Sequence, residues 1–247
     1  MSLKGILQFS LIIVMFFSCA KESGTAKDAA SVGTGGSLAR FTIAANHLYL
    51  VDYSNLKVFD LADPANPVEQ PDVYIGFNIE TIFPYKDKLF IGSGIGMFIY
   101  SIANPSTPSK LGVAQHVRSC DPVIANDTIS YSTLKGNTRC GPVESGLYIY
   151  DIKNISSPVL KKLLPLSSPS GLCLQDSVVF ICRENDGLTA VNVKDPSDPK
   201  IMYTVTDGNY VDVISYDHLL ICYVSAGILI YDISNLKQIQ KIGVVKY

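Results

Sequence analysis

Four residues that lie far apart in the chain, Arg40, Glu80, Asp121 and Asp212, carry the charges best suited to gripping a ligand. They follow one another at intervals of about forty or about ninety residues, and Gly171 stands at the place the longer interval skips. His116 and Arg118 lie just ahead of Asp121. Brought to one place, three carboxylates with two arginines and a histidine could hold a cation through oxygen ligands. They could also hold a sugar or the terminus of a peptide, or close on themselves as a hydrated ring of ion pairs. A pair of carboxyls about 6.5–9.5 Å apart, one with a raised pKa, would instead be the equipment of an inverting glycosidase. That chemistry usually has aromatic rings to stack the sugar, and Trp is absent.

No other catalytic set is present. The sequence has no Gly-rich phosphate loop, no His-Glu-x-x-His and no Gly-x-Ser-x-Gly. His47 and His218 hold equivalent turn positions and read as structural. Asn126-Asp127-Thr128 and Asn154-Ile155-Ser156 match the Asn-glycosylation pattern. Asp127-Thr128-Ile129 and Asp176-Ser177-Val178 resemble short O-glycosylation sites of exported proteins and fall at expected hairpin turns.

The spacing of the charged residues has a cause. A stretch beginning at Gly227, Gly-Ile-Leu-Ile-Tyr-Asp-Ile-Ser-Asn, recurs upstream from Gly187, Gly146, Gly96 and, most worn, Asn55. The steps between copies are 41, 50, 41 and 40 residues, the period of a propeller or an array. In each period four strands are expected, the third being the repeated motif. In the second period they are Glu80 to Pro84, Lys88 to Gly92, Met97 to Ile102 and Ser109 to Val113. An Asn/Asp-Pro-x-x-Pro turn follows the third strand, as at Asn104 and Asp195; its first residue accepts backbone hydrogen bonds and Pro fixes φ. Asp60, Ser101, Asp151, Asn192 and Asp232 fall at the ends of the third strands, where they should bond to that turn.

The third strands are apolar on both faces, as Leu147 and Ile149 against Tyr148 and Tyr150 show. Both faces must therefore be covered, as they are when small sheets stack around an axis. First strands are expected at Phe41 to Ala44, Glu80 to Pro84, Asp121 to Ala125, Gly171 to Leu174 and Asp212 to Ser215, so five units fill 38–247. The fold class is all-β: a five-bladed β-propeller of four-stranded antiparallel blades. Innermost strands line the channel, which would bring Arg40, Glu80, Asp121 and Asp212 to its mouth.

The N-terminus carries an address. Lys4, the apolar run from Leu11 to Phe17 and Ser18-Cys19 resemble a bacterial lipoprotein signal over 1–18, with Cys19 as the lipidated residue. The run is shorter than the ~20 residues of a membrane span. Residues 19–37 are small and polar, a flexible tether. Among the six cysteines, Cys120 and Cys140 fall on one face of the third unit, Cys140 in the loop that makes the 50-residue step. In an oxidising compartment a Cys120–Cys140 disulfide is expected, worth about 3 kcal/mol by loop entropy. Two free thiols are the alternative. Cys173, Cys182 and Cys222 lie within strands and should pack as small hydrophobes.

The apolar-x-Ile/Val-Tyr/Val-Asp-Ile motif with its Asn/Asp-Pro-x-x-Pro turn resembles the LVIVD repeat of secreted bacterial β-propeller proteins, of the kind found as lipoproteins in Bacteroidetes-type bacteria. The resemblance implies a fold and a binding surface, not a reaction. With a formal net charge of -2 and 17% charged residues, the chain offers no basic face to nucleic acid. The expected function is a cell-envelope binding or protein-interaction module, exported and lipid-anchored to the outer membrane through Cys19. Its ligand would be a protein or glycan, held by Arg40, Glu80, His116, Arg118, Asp121 and Asp212, with no cofactor. The alternative is a carbohydrate-active enzyme using the channel carboxylates; five-bladed propeller glycosidases place two Asp and a Glu in the channel, a part that Asp121, Asp212 and Glu80 could take.

Overall fold

A computed structural model of the chain describes residues 35–115, 122–136 and 144–246. Every regular element among them is a strand. The first blade holds β1 (Phe41–Ala44), β2 (His47–Val51), β3 (Asn55–Asp60) and a fourth strand broken at Pro71 into β4 (Val68–Glu69) and β5 (Val73–Tyr74). The second holds β6 (Ile79–Tyr85), β7 (Lys88–Ser93), β8 (Gly96–Ser101) and β9 (Ser109–Gln115). The third holds β10 (Val123–Ala125), β11 (Ile129–Leu134), β12 (Gly146–Asp151) and β13 (Val159–Pro165). β14 (Leu172–Gln175), β15 (Val178–Cys182), β16 (Leu188–Asn192) and β17 (Lys200–Val205) make the fourth. β18 (Tyr210–Tyr216), β19 (Leu219–Val224), β20 (Gly227–Asp232) and β21 (Gln240–Lys246) make the fifth. Each sheet is antiparallel and runs in sequence order from the inside outward, so the chain forms a five-bladed β-propeller.

Local chemistry repeats with the blades. The side chains of Asp60, Ser101, Asp151, Asn192 and Asp232 each accept the N–H two residues on, at 2.8–3.1 Å. The turn that follows is closed in every blade by an N–H to the carbonyl three residues back, for example Asn66 to Asp63 and Gln238 to Asn235, both 3.0 Å. A one-residue bulge then falls at the same place in four blades, between Ile99 and Tyr100, Ile149 and Tyr150, Ala190 and Val191, and Ile230 and Tyr231. It bends the outer strand and adds twist.

Four apolar clusters join neighbouring blades. Tyr49, Leu56 and Val58 of the first blade meet Ile82, Ile91 and Phe98 of the second. Phe90 and Ile99 meet Tyr148 and Tyr150, Leu147 and Ile149 meet Val179 and Val191, and Leu188 and Ala190 meet Leu220 and Cys222. Polar staples add to the first joint: His47 Nε2 bonds Ser106 Oγ at 2.9 Å, and the Tyr49 hydroxyl donates to the Pro105 carbonyl at 2.8 Å. His47 thus has the structural role read from the sequence. Cys173, Cys182 and Cys222 are buried free thiols, the latter two in the joint between the fourth and fifth blades, and burial pushes their pKa values up.

The seam between the fifth and first blades is different. None of the four clusters spans it. Phe41 pairs with Leu50 and Ile43 with Leu48 on one face of the first blade, yet Phe41 is 60% exposed. On the facing side of the fifth blade Tyr216 and Tyr223 are exposed and Ile228 and Ile230 only half-buried. Each blade is also built from one contiguous stretch, so no backbone ladder closes the ring.

Candidate functional site at the hub

Inner strands lie start to start around the axis. The Ile82 N–H donates to the Ala39 carbonyl at 2.8 Å and the Gly171 N–H to the Val211 carbonyl at 3.0 Å, both near strand starts. The Ser215 hydroxyl meets the Leu174 carbonyl at 3.4 Å, near strand ends. The hub therefore has two ends, one at the strand starts and one at the strand ends.

Arg40, Glu80 and Asp212 all lie near the first of these ends, but Thr81, not Glu80, holds the register place of Asp212, and Glu80 is the unpaired residue of a bulge in β6. Asp212 follows a bulge in β18 and points inward. Its Oδ1 accepts the Val213 N–H at 2.9 Å and the Ser37 hydroxyl at 3.3 Å, while Ser37 Oγ accepts the Leu172 N–H at 2.8 Å. A Cβ added to Gly36 or Gly171 would come within 2.2 and 2.1 Å of the Asp212 carboxylate oxygens. Only glycine leaves room there, so the carboxyl sits between two bare backbones. Burial pushes the Asp212 pKa up to about 6, against the Val213 and Leu38 N–H groups and the Ser37 hydroxyl, which favour the charged form.

Glu80 is half-buried, and desolvation raises its pKa; the Arg40 charge works the other way. Arg40 itself is exposed and also acts on Asp52. Among the described residues neither Glu80 nor Asp212 perturbs the other. His116, Arg118 and Asp121, expected at the same mouth, lie outside the described residues, as do Cys120, Cys140 and Cys19. No group of three or more His, Cys, Asp or Glu among the described residues could hold a metal ion.

The expected tether of 19–37 is corrected at its end. Ser37 is 1% exposed and bonded to the fourth and fifth blades, so packed structure begins before Leu38. The sequence signal was the pair Gly35-Gly36, which reads as tether composition but here allows close approach.

At the strand-end side of the hub lies a cavity of about 430 Å3. Phe83, Ile124, Leu174 and Ile214, from β6, β10, β14 and β18, supply apolar wall. Asn126, Asp176 and Ser215 add polar groups, and Gly35 lines the inside. β1 contributes nothing to the lining. Sequence reasoning placed the ligand at the charged end and missed this one. Its signal was available: each of these four inner strands carries an apolar residue late in its run.

A further charged group lies on the fifth blade. Burial works against the Asp207 charge, but Lys241 Nζ at 2.6 Å and the hydroxyls of Tyr210 and Tyr231 hold its pKa at about 2. Every member has a partner within the set, which reads as a clamp.

No family model and no curated protein sequence matches the chain. Solved structures do. The chain is similar to a functionally unknown protein from Desulfotomaculum acetoxidans (TM-score 0.65, 11% identity, 81% of this chain and 66% of that one). It is similar to the periplasmic gluconolactonase PpgL of Pseudomonas aeruginosa (TM-score 0.64, 10% identity, 82% and 68%) and to apo AztD from Citrobacter koseri (0.58, 11%, 86% and 60%). At these identities the likeness is one of fold. The chain spans about two thirds of the length of the solved structures it matches.

Proposed function

We propose that the protein is a propeller binding module of the bacterial cell envelope that takes a small, largely apolar ligand into its hub. The observation that carries this reading is the cavity of about 430 Å3 at the strand ends, walled by apolar residues from the inner strands of four blades and bearing a few polar groups. That size and lining are those of small-molecule sites, where apolar wall supplies affinity and a few polar atoms fix orientation. Asn126 is suited to the second task. Its Oδ1 is engaged by the Thr128 and Ile129 N–H groups at 3.0 and 2.9 Å, which fixes the side chain. A screen of small molecules by thermal stabilisation tests the reading. Hits that stabilise the wild type should fail on Ser215→Phe, which fills the cavity from a half-buried position. Hits that stabilise both equally would refute it.

The charged end, with Arg40, Glu80 and Asp212 and with His116, Arg118 and Asp121 as its proposed further members, is the second surface. A protein or glycan is its proposed partner. The carbohydrate-acting reading draws on one observation, a carboxyl at Asp212 that keeps its proton to about pH 6 as a general acid must. Against it, that carboxyl is enclosed by Gly36, Ser37 and Gly171. Absence of turnover on a glycan panel removes it.

Cell-envelope attachment is proposed through Cys19, on the Ser18-Cys19 junction that ends the apolar run. The full chain should partition into the detergent phase of a Triton X-114 extract. Cys19→Ala should move it to the aqueous phase; equal partition of both would end the proposal.

A further inference from the structure

We infer that the hub's ligand is a single-chain amphiphile with a carboxylate or phosphate head, its apolar chain in the hub cavity and its head in a groove between the third and fourth blades. This rests on the hub reading above and adds the ligand's chemical class. The groove, of about 400 Å3, lies on the same strand-end face. Asn126 and Asp176, at the first hairpin turns of the two blades, line both spaces, so the groove adjoins the hub cavity. Beyond that shared wall the lining changes character. Lys153 and Lys161 come from the third blade and Lys194 from the fourth, and none of them makes an ion pair among the described residues. Two carboxyls share the groove, Asp176 and Asp151, and Asp151 Oδ1 accepts the Lys153 backbone N–H at 3.0 Å. The excess charge is therefore positive.

The same groove holds an unused donor. Tyr131 lines it from β11, is 2% exposed, and its hydroxyl has no hydrogen-bond partner among the described residues. The repeat shows what is missing. Tyr49 pairs with Val58 in the first blade as Tyr131 pairs with Ile149 in the third, and the Tyr49 hydroxyl donates to the Pro105 carbonyl in the turn of the next blade at 2.8 Å. Pro196 holds the place of Pro105 beside Tyr131 and also lines the groove, yet no bond joins the two. Buried hydroxyls almost always have a partner, so this one asks for an acceptor. Desolvation pushes the Tyr131 pKa up to about 12, and the hydroxyl keeps its proton to donate. An anionic head would supply the acceptor, the lysines its counter-charge, and bonds to an ionised acceptor are the stronger kind. The hub beside it, walled by Phe83, Ile124, Leu174 and Ile214, suits an apolar chain.

The test is a calorimetric titration of the full chain with decanoate, decyl phosphate and decanol, each below the concentration at which it forms micelles. Both anions should bind the wild type at least about tenfold more tightly than decanol, as charge-assisted bonds require. Tyr131→Phe removes only the hydroxyl, and Lys153→Gln combined with Lys194→Gln removes two charges. Each should cut the affinity of the anions by about tenfold and leave decanol unchanged. The lysines are exposed, so their replacement keeps the test open whatever Tyr131→Phe does to stability. Ser215→Phe, which fills the hub, should weaken all three ligands. No anion binding, equal affinity for decanol and the anions, or anion binding that neither groove variant weakens would overturn the inference and leave the hub reading to its own screen. Anion binding weakened in the groove variants but untouched in Ser215→Phe would overturn both, since no chain would then lie in the hub.

Discussion

Asp212 shows how far one residue's role depends on groups remote in the chain. Its hydrogen-bonding partner Ser37 lies 175 positions away, and the glycines that make room for the carboxyl are Gly36 and Gly171. The sequence reading found the acid from its place in the repeat. It missed the serine, because a small polar residue beside two glycines has the composition of a tether. The partners matter for stability as well as position. A free Asp releases its proton near 3.8, whereas folded Asp212 keeps its proton to about 6. Between those values the folded state binds more protons than the unfolded one, so stability falls as pH rises through the window and is level above it. At about 1.4 kcal/mol per pH unit the decline is at most about 3 kcal/mol. Asp212→Asn, which keeps an acceptor and cannot ionise, should flatten the denaturation midpoint between pH 4 and 6. An unchanged slope would show that another group sets it.

At the scale of elements, the turn chemistry was almost wholly legible. Asp60, Ser101, Asp151, Asn192 and Asp232 all bond as their places at the ends of the third strands require, because such caps are local and need only the next two residues. Strand faces were legible less evenly. In β11, Ser130 and Ser132 stand where β7 has Leu89 and Ile91 and β15 has Val179 and Ile181. Both hydroxyls are buried without a hydrogen-bond partner among the described residues. A buried hydroxyl that loses water and gains nothing costs about 1–3 kcal/mol. Ser132→Ala removes that cost with little change in volume. It should leave the protein as stable or raise its stability by up to about 1 kcal/mol in urea unfolding. A loss of more than that would mean the hydroxyl has an unrecognised partner.

For the whole molecule, the period near forty residues and the doubly apolar third strands were enough to read five blades around an axis. The seam was not legible in the same way. Its residues are as apolar as those at the other joints, and only the angle between blades decides whether Phe41 and Tyr223 meet a neighbour. That angle accumulates from twist and bulges over five sheets, which no local pattern records. The cavity has the same origin. Phe83, Ile124, Leu174 and Ile214 each look like ordinary strand residues, and they enclose a space only because four inner strands converge on one axis. The site proposed for a ligand is thus a property of the assembled blades, and its direct test must keep the blades intact.

That test is a calorimetric titration of a screened ligand into three proteins: the wild type, Ser215→Phe and Phe41→Asp. Binding in the hub predicts that Ser215→Phe loses at least about tenfold in affinity, roughly 1.4 kcal/mol, while Phe41→Asp, altered only at the seam, binds as the wild type does. Full affinity in Ser215→Phe, or binding lost in Phe41→Asp instead, would contradict a ligand site at the hub.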